Sequence, residues 1–190
     1  MINTHNGIKE KGLKRIEIDD YPIIKEHLDK FKVELKKRAD QGDTLYNLRN
    51  CAYTEDFFKP KIVWKRIGSI IRFSYDENSI FTLDSTCFAT GGNHIKFLTS
   101  FLNSKMGNYL LKDAPQTGTG DLLISVQAVE PIRVPIISEE QNHDFCMLLD
   151  QIIENQKNDR DITILENKIS KMIYTLYKFD NDEVQRIESQ

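Results

Sequence analysis

The stretch Lys59–Gly92 constrains this chain most. Ile62–Ile67 and Ile70–Tyr75 concentrate β-branched and aromatic side chains on either side of Gly68-Ser69. A turn at Asp76-Glu77-Asn78-Ser79 follows, and Ile80–Leu83 and Thr86–Thr90 continue the series. The pattern predicts successive β-strands in one sheet. Lys59, Lys61, Lys65, Arg66 and Arg72 are set among the apolar positions. Cations beside aromatic groups on a sheet can carry a polyanion. The solvated face of a half-buried sheet has the same pattern, so the residues alone leave both readings open.

A chain of 190 residues can bury one core and a helical appendage. Hydrophobic residues make up 39% and charged residues 29%, which fits a globular protein rather than a disordered one. No apolar run approaches the roughly 20 residues of a membrane span, and Met1–Lys14 shows no apolar signal region. Cys51, Cys87 and Cys146 are far apart and odd in number, so they predict free thiols in a reducing cytoplasm rather than a disulfide framework. Charge is uneven. Residues 138–190 hold 12 acidic and 6 basic side chains, and the rest of the chain holds 17 and 20. The expected face toward an anion is therefore in residues 1–137.

Around the predicted sheet the periodicity is helical. Asp19 or Asp20 is the expected cap of a helix with Pro22 in its first turn, an apolar stripe at Ile24, Leu28, Phe31 and Leu35, and an end at Gly42. Gln41–Phe58 reads as a long connector carrying Tyr46, Arg49, Tyr53, Phe57 and Phe58. One helix is expected over Asn93–Lys112, packed on the sheet. Ala114–Asp121 is a loop with Gly118 and Gly120, followed by strands at Leu122–Val126 and Ile132–Ile137. Ser138-Glu-Glu-Gln141 is a capping box that starts a helix with Phe145, Leu148, Leu149, Ile152 and Ile153 on one face. After Asn158-Asp159 a last helix carries Ile162, Leu165, Ile169, Met172 and Leu176 at heptad spacing. The pair predicts a helical hairpin. Asn181–Gln190 reads as a short acidic end.

Motifs for catalysis are missing. Gly118-Thr-Gly120 follows a helix and opens a strand, the reverse of a dinucleotide-binding loop. His5, His27, His94 and His143 have no partner at zinc spacing. Glu34-Leu-Lys36 has the residue types of a metal-dependent nuclease but lies in the predicted first helix rather than on a strand.

Several blocks in one order carry a resemblance. Tyr21-Pro-Ile-Ile-Lys-Glu-His-Leu-Asp-Lys-Phe, Leu35-Lys-Lys-Arg, Tyr46-Asn-Leu-Arg-Asn-Cys-Ala-Tyr and Lys59-Pro-Lys-Ile-Val-Trp come first. Ser85-Thr-Cys-Phe, Phe101-Leu-Asn-Ser-Lys, Ile132-Arg-Val-Pro-Ile-Ile and the end Ile169–Tyr177 with Phe179-Asp180 follow. Over about residues 20–180 the chain resembles the TaqI-like specificity domain, the C-terminal target recognition domain of type II restriction enzymes and adenine-specific DNA methyltransferases. The resemblance implies a cytoplasmic, sequence-specific reader of double-stranded DNA, joined to methyltransferase or endonuclease domains in cis or as a separate subunit. It implies no catalysis and no cofactor in this chain; S-adenosylmethionine and magnesium would belong to the catalytic parts. Relatives often place aromatic and basic residues after the glycine-rich loop, whereas here Leu122-Leu-Ile-Ser-Val-Gln follows.

The expected fold is α/β (α+β), a small twisted mixed sheet packed by helices with a C-terminal helical hairpin. The expected divisions are a polar segment 1–18, a recognition domain 19–137, the hairpin 138–178 and an acidic tail 179–190. The candidate DNA-contacting residues are Arg49, Lys61, Trp64, Lys65, Arg66, Arg72, Gln116, Thr117 and Thr119. Two alternatives stand beside this reading: a metal-dependent nuclease using Glu34, Lys36 and another carboxylate, and a protein-interaction module working through the helical hairpin.

Overall fold

The computed structural model describes residues 2–8 and 12–189. The chain divides into two compact units, Met1–Thr54 and Glu55–Gln190.

In the first unit the expected single helix is two short ones, α1 (Pro22–Asp29) and α2 (Lys32–Lys37). Pro22 opens α1, but Tyr21 occupies the cap position, and Asp19 and Asp20 lie in the 3-10 turn before it. The chain leaves helical geometry at Phe31, and α2 ends well before Gly42. Neither helix buries a residue fully. The unit is held instead by Asn47, which is 1% exposed. Its side-chain amide donates to the carbonyls of Ile16 (2.9 Å), His5 (3.2 Å) and Thr4 (3.4 Å), and its side-chain oxygen accepts from the Thr44 hydroxyl. The polar N-terminal segment is thereby fixed to the loop after α2, and the Asn47 amide adds to the backbone pairing of Leu48 with Thr4 and of Ile16 with His5.

The second unit starts from β1 (Lys61–Lys65), β2 (Ile67–Gly68), β3 (Phe73–Asp76) and β4 (Thr86–Thr90). The order β3-β1-β4 is antiparallel throughout, where a mixed sheet was expected. Ile80–Leu83 forms no strand. The turn that contains it is fixed by Asp76, whose carboxylate accepts from the N–H groups of Asn78 (2.9 Å) and Ile80 (3.0 Å).

After β4 come α3 (Ile95–Asn103) and α4 (Lys105–Leu111), where one continuous helix was expected. Ser104 separates them. Its backbone is extended, and its hydroxyl accepts from the Gly107 N–H and donates to the Phe101 carbonyl. This is the N-cap geometry that a serine favours. Position 107 has no room for a side chain, since a Cβ there would lie 2.4 Å from the Phe101 carbonyl oxygen.

Then follow β5 (Leu122–Leu123) and α5 (Val126–Val129). The expected strand at Leu122–Val126 is thus cut to two residues. Ile132–Ile137 is not a strand either: Pro131 and Pro135 cannot donate to a ladder, and the segment is tied down by the Tyr177 hydroxyl, which donates to the Arg133 carbonyl at 2.8 Å. The chain closes with α6 (Glu139–Lys157), α7 (Thr163–Tyr177) and α8 (Asn181–Glu188). Ser138 and Gln141 form the expected capping box on α6. Asp180 and Glu183 form a second one on α8, so the acidic end is a helix, with Ile187 buried.

The core lies between the sheet and the helices. Ile62, Trp64 and Phe73 from the sheet join Phe97 and Phe101 of α3, Phe145 and Leu148 of α6, and Ile169 and Ile173 of α7. The architecture is α/β, with the helical hairpin α6–α7 packed on α3.

Candidate nucleic-acid interface

Alternation along β1 sends Ile62 and Trp64 to the core and Lys61, Val63 and Lys65 to the other face. The two lysines then have opposite fates. Val63 sits opposite Phe88 of β4, and Phe88 packs with Phe57, which in turn stacks on Phe81 at 4.8 Å. This aromatic layer covers the Lys61 end of the face. Lys61 is fully buried; its ammonium pairs with Asp76 and donates to the Phe57 carbonyl at 2.8 Å. Burial alone would raise the Asp76 carboxyl. Hydrogen bonds from Lys61, Asn78 and Ile80, with the charge of the ammonium, outweigh it and hold the group below its ordinary range. Lys61, a sequence candidate for DNA contact, has no surface from which to reach a phosphate.

Trp64 is corrected in the same way. It is 4% exposed, and its indole N–H donates to the Ile124 carbonyl at 2.7 Å. It is a core side chain with its polar atom satisfied, and no ring face is left on which a base could stack.

That tryptophan bond is one of several that build a composite surface at the other end of β1. The Ile124 N–H donates to the Arg66 carbonyl at 2.8 Å. β2 pairs with β5 through Ile67 opposite Leu123 and Gly68 opposite Leu122, and Leu122 in turn bridges to Gln116. The Leu123 N–H donates back to the Pro115 carbonyl at 2.7 Å. Residues 115–124 are therefore a hairpin stitched to residues 64–68. The turn is closed by the Gly120 N–H on the Thr117 carbonyl (2.9 Å) and the Thr117 N–H on the Asp121 carbonyl (2.8 Å). Gly120 has φ +86°, a left-handed conformation that suits glycine.

Lys65 and Arg66 are exposed at this end. Arg72, also exposed, directly precedes Phe73, the register partner of Trp64, and so lies at the same end of the sheet. None of the three forms an ion pair among the described residues. The structure thus brings Lys65, Arg66, Arg72, Gln116, Thr117 and Thr119 to one region. The Gln116 side chain is exposed, and its amide has no partner among the described residues. Thr117 and Thr119 share a hydroxyl–hydroxyl bond of 2.8 Å, and the Thr119 hydroxyl lies 3.3 Å from the Asp121 carboxylate, so both are partly engaged in the turn.

Arg49 belongs to the first unit. It is exposed, and its backbone N–H donates to the Asp40 carbonyl at 2.9 Å. Glu34 and Lys36 lie exposed on α2 of that unit. Among the described residues no cluster of three or more His, Cys, Asp or Glu is arranged to hold a metal ion, and no helix is long and apolar enough to cross a membrane.

Sequence reasoning did not place Ile67 and Ile70 here. Both are exposed, Ile70 at 66%, and they flank the Gly68-Ser69 break beside the cations. That break within a β-branched run was the available signal, because it ends the sheet where the reading continued it.

The family model of the TaqI-like C-terminal specificity domain matches residues 8–129. The match spans the sheet, the cation group and the Gln116–Asp121 hairpin, and it ends before α6, short of the span to residue 180 expected from the sequence blocks. It covers more than half of the chain, which therefore belongs to the TaqI-like C-terminal specificity domain family, a membership that implies DNA target recognition within restriction–modification enzymes.

Proposed function

We propose that the unit Glu55–Gln190 reads double-stranded DNA through the region formed by the end of β1, the start of β3 and the Gln116–Asp121 hairpin. One observation carries this reading: backbone pairing joins the hairpin to Arg66–Gly68, so side chains able to read bases are held beside unpaired cations. Lys65, Arg66 and Arg72 hold phosphates and set register, which contributes affinity without choosing sequence. Gln116 offers a bidentate amide for adenine, and the threonine methyls and hydroxyls suit a thymine methyl or a base edge.

The chain itself performs no catalysis in this reading. It gives target specificity to methyltransferase and endonuclease domains, in cis or as a separate subunit, and their S-adenosylmethionine and magnesium belong to those domains. The test is selection from a randomised duplex pool, followed by methylation and cleavage assays on the chain alone. Enrichment of one short site with no methyl transfer and no cleavage is expected. Enrichment of none, in the chain or in the enzyme that carries it, would overturn the reading.

A further inference from the structure

A cleft of about 250 Å³ lies between β3 and the helices α3, α6 and α7. Phe73, Ile152 and Ile169 give it apolar walls. Two further features are unusual for a gap in a core. Ser100 lines the cleft, is 2% exposed, and has a hydroxyl without a hydrogen-bond partner among the described residues. Buried hydroxyls are normally paired. Thr99 beside it shows the ordinary solution, donating to the Ile95 carbonyl at 2.9 Å. Arg72 and Glu166, both exposed, also line the cleft with opposite charges. Neither is ion-paired with the other or with any charged group among the described residues. Opposite charges that share a cleft yet stand too far apart to pair suit a guest that bridges them.

We propose that this cleft binds a small zwitterion with an apolar body and a polar tip, of the class of a free aromatic amino acid such as L-tyrosine. The carboxylate meets the Arg72 guanidinium, a pairing that geometry favours. The ammonium meets Glu166. The ring lies against Phe73, Ile152 and Ile169, and the phenol reaches the buried Ser100 hydroxyl. The buried Ser100 hydroxyl and the two opposite charges at the mouth of the cleft are then each met by one part of the guest, the usual composition of a small-molecule site.

The test is a titration of the full chain with L-tyrosine, read by chemical-shift changes at Ser100, Phe73 and Ile169. Saturable binding is expected, weaker by about tenfold or more for tyramine, which lacks the carboxylate, and for hydroxyphenylpropionate, which lacks the ammonium. L-phenylalanine should bind several-fold more weakly than L-tyrosine, because a site that hydrogen-bonds a hydroxyl discriminates against its absence. Ser100→Ala should remove that preference, and Glu166→Gln should bring L-tyrosine down to the level of hydroxyphenylpropionate. Both substitutions are small, and Glu166 is at the surface, so the folded state is retained for comparison. No saturable shift at the solubility limit of L-tyrosine would overturn the proposal. So would equal binding of all four compounds, or a Glu166→Gln variant that binds like the parent. The readout is ligand binding itself, so the result does not depend on the DNA reading.

Discussion

Lys61 of β1 stands directly opposite Asp76 of β3, and the two form an ion pair that is sealed from solvent at both ends. Each partner makes further bonds: the ammonium donates to the Phe57 carbonyl, and the carboxylate accepts from the N–H groups of Asn78 and Ile80. One pair thus anchors the aromatic layer of Phe57 and the turn after β3 to the middle strand of the sheet.

Breaking that pair from one side leaves a buried charge uncompensated, which costs about 3–5 kcal/mol. Lys61→Met and Asp76→Asn should each lower stability in urea by an amount of that order. Lys61→Met combined with Asp76→Asn should lose clearly less than the sum of the two single losses, because the pair acts as a unit. Additive losses would show that the groups are not coupled.

The same carboxylate gives a pH dependence with a definite sign. The folded pKa of Asp76 lies below its unfolded value, so its contribution is full above the ordinary aspartate range near about pH 4 and is lost as pH falls through the folded value. The stability gap between the parent chain and Asp76→Asn should therefore be widest near neutral pH and close below about pH 4. A gap that is constant from pH 7 to pH 3 would remove Asp76 from the acid transition.

Lys65→Ala with Arg66→Ala should weaken binding to every duplex alike and leave the melting temperature unchanged. Two fewer phosphate contacts should flatten the slope of log affinity against log salt by about 2. An unaltered slope would make both residues part of a solvated edge.

Gln116→Ala should cost about 1–3 kcal/mol on the preferred site and much less on unrelated DNA. Paired affinities on both duplexes decide it. Equal losses would assign Gln116 to positioning, and no loss would leave the hairpin as a connector.

The packing of α7 predicts an order of effects. Ile173 is 0% exposed and Ile169 is 3% exposed, whereas Met172 is only half-buried. Ile173→Ala and Ile169→Ala should each cost about 2–5 kcal/mol, and Met172→Ala less. Thermal unfolding of the three variants checks this. A ranking with Met172 first would mean that the Met172 side of α7, not the Ile173 side, is the buried one.

The α7 example shows what could be read locally and what could not. A period near 3.6 and a capping box are written in consecutive residues, so the helix after Ser138 and its partner α7 were legible from the sequence, as were the strands at β1 and β4. Side chains three and four apart share a face whatever surrounds them. Which line of that face is innermost depends on the neighbours, and packing against α3, α4 and α6 leaves Ile173 buried and Met172 half-buried. The break at Ser104 needed two signals together, a serine able to cap and a glycine whose backbone is pressed against the preceding turn.

For the candidate site the division is sharper. Lys61 and Lys65 have the same chemistry and lie four residues apart on one strand face, so no local pattern separates them. Asp76 opposite one of them, with the Phe57, Phe81 and Phe88 layer above, makes Lys61 structural and leaves Lys65 exposed. Trp64 was bound to look like a stacking platform until Ile124, 60 positions later, accepted its N–H. The sequence by itself determined the kinds of element, the helix caps and the presence of a cation-bearing strand, because these depend on neighbours within a few residues. Only the tertiary structure decided which cations remain free, and that the hairpin carrying Gln116 is stitched to Arg66–Gly68, because pairing between distant strands and desolvation by distant rings leave no trace in local order.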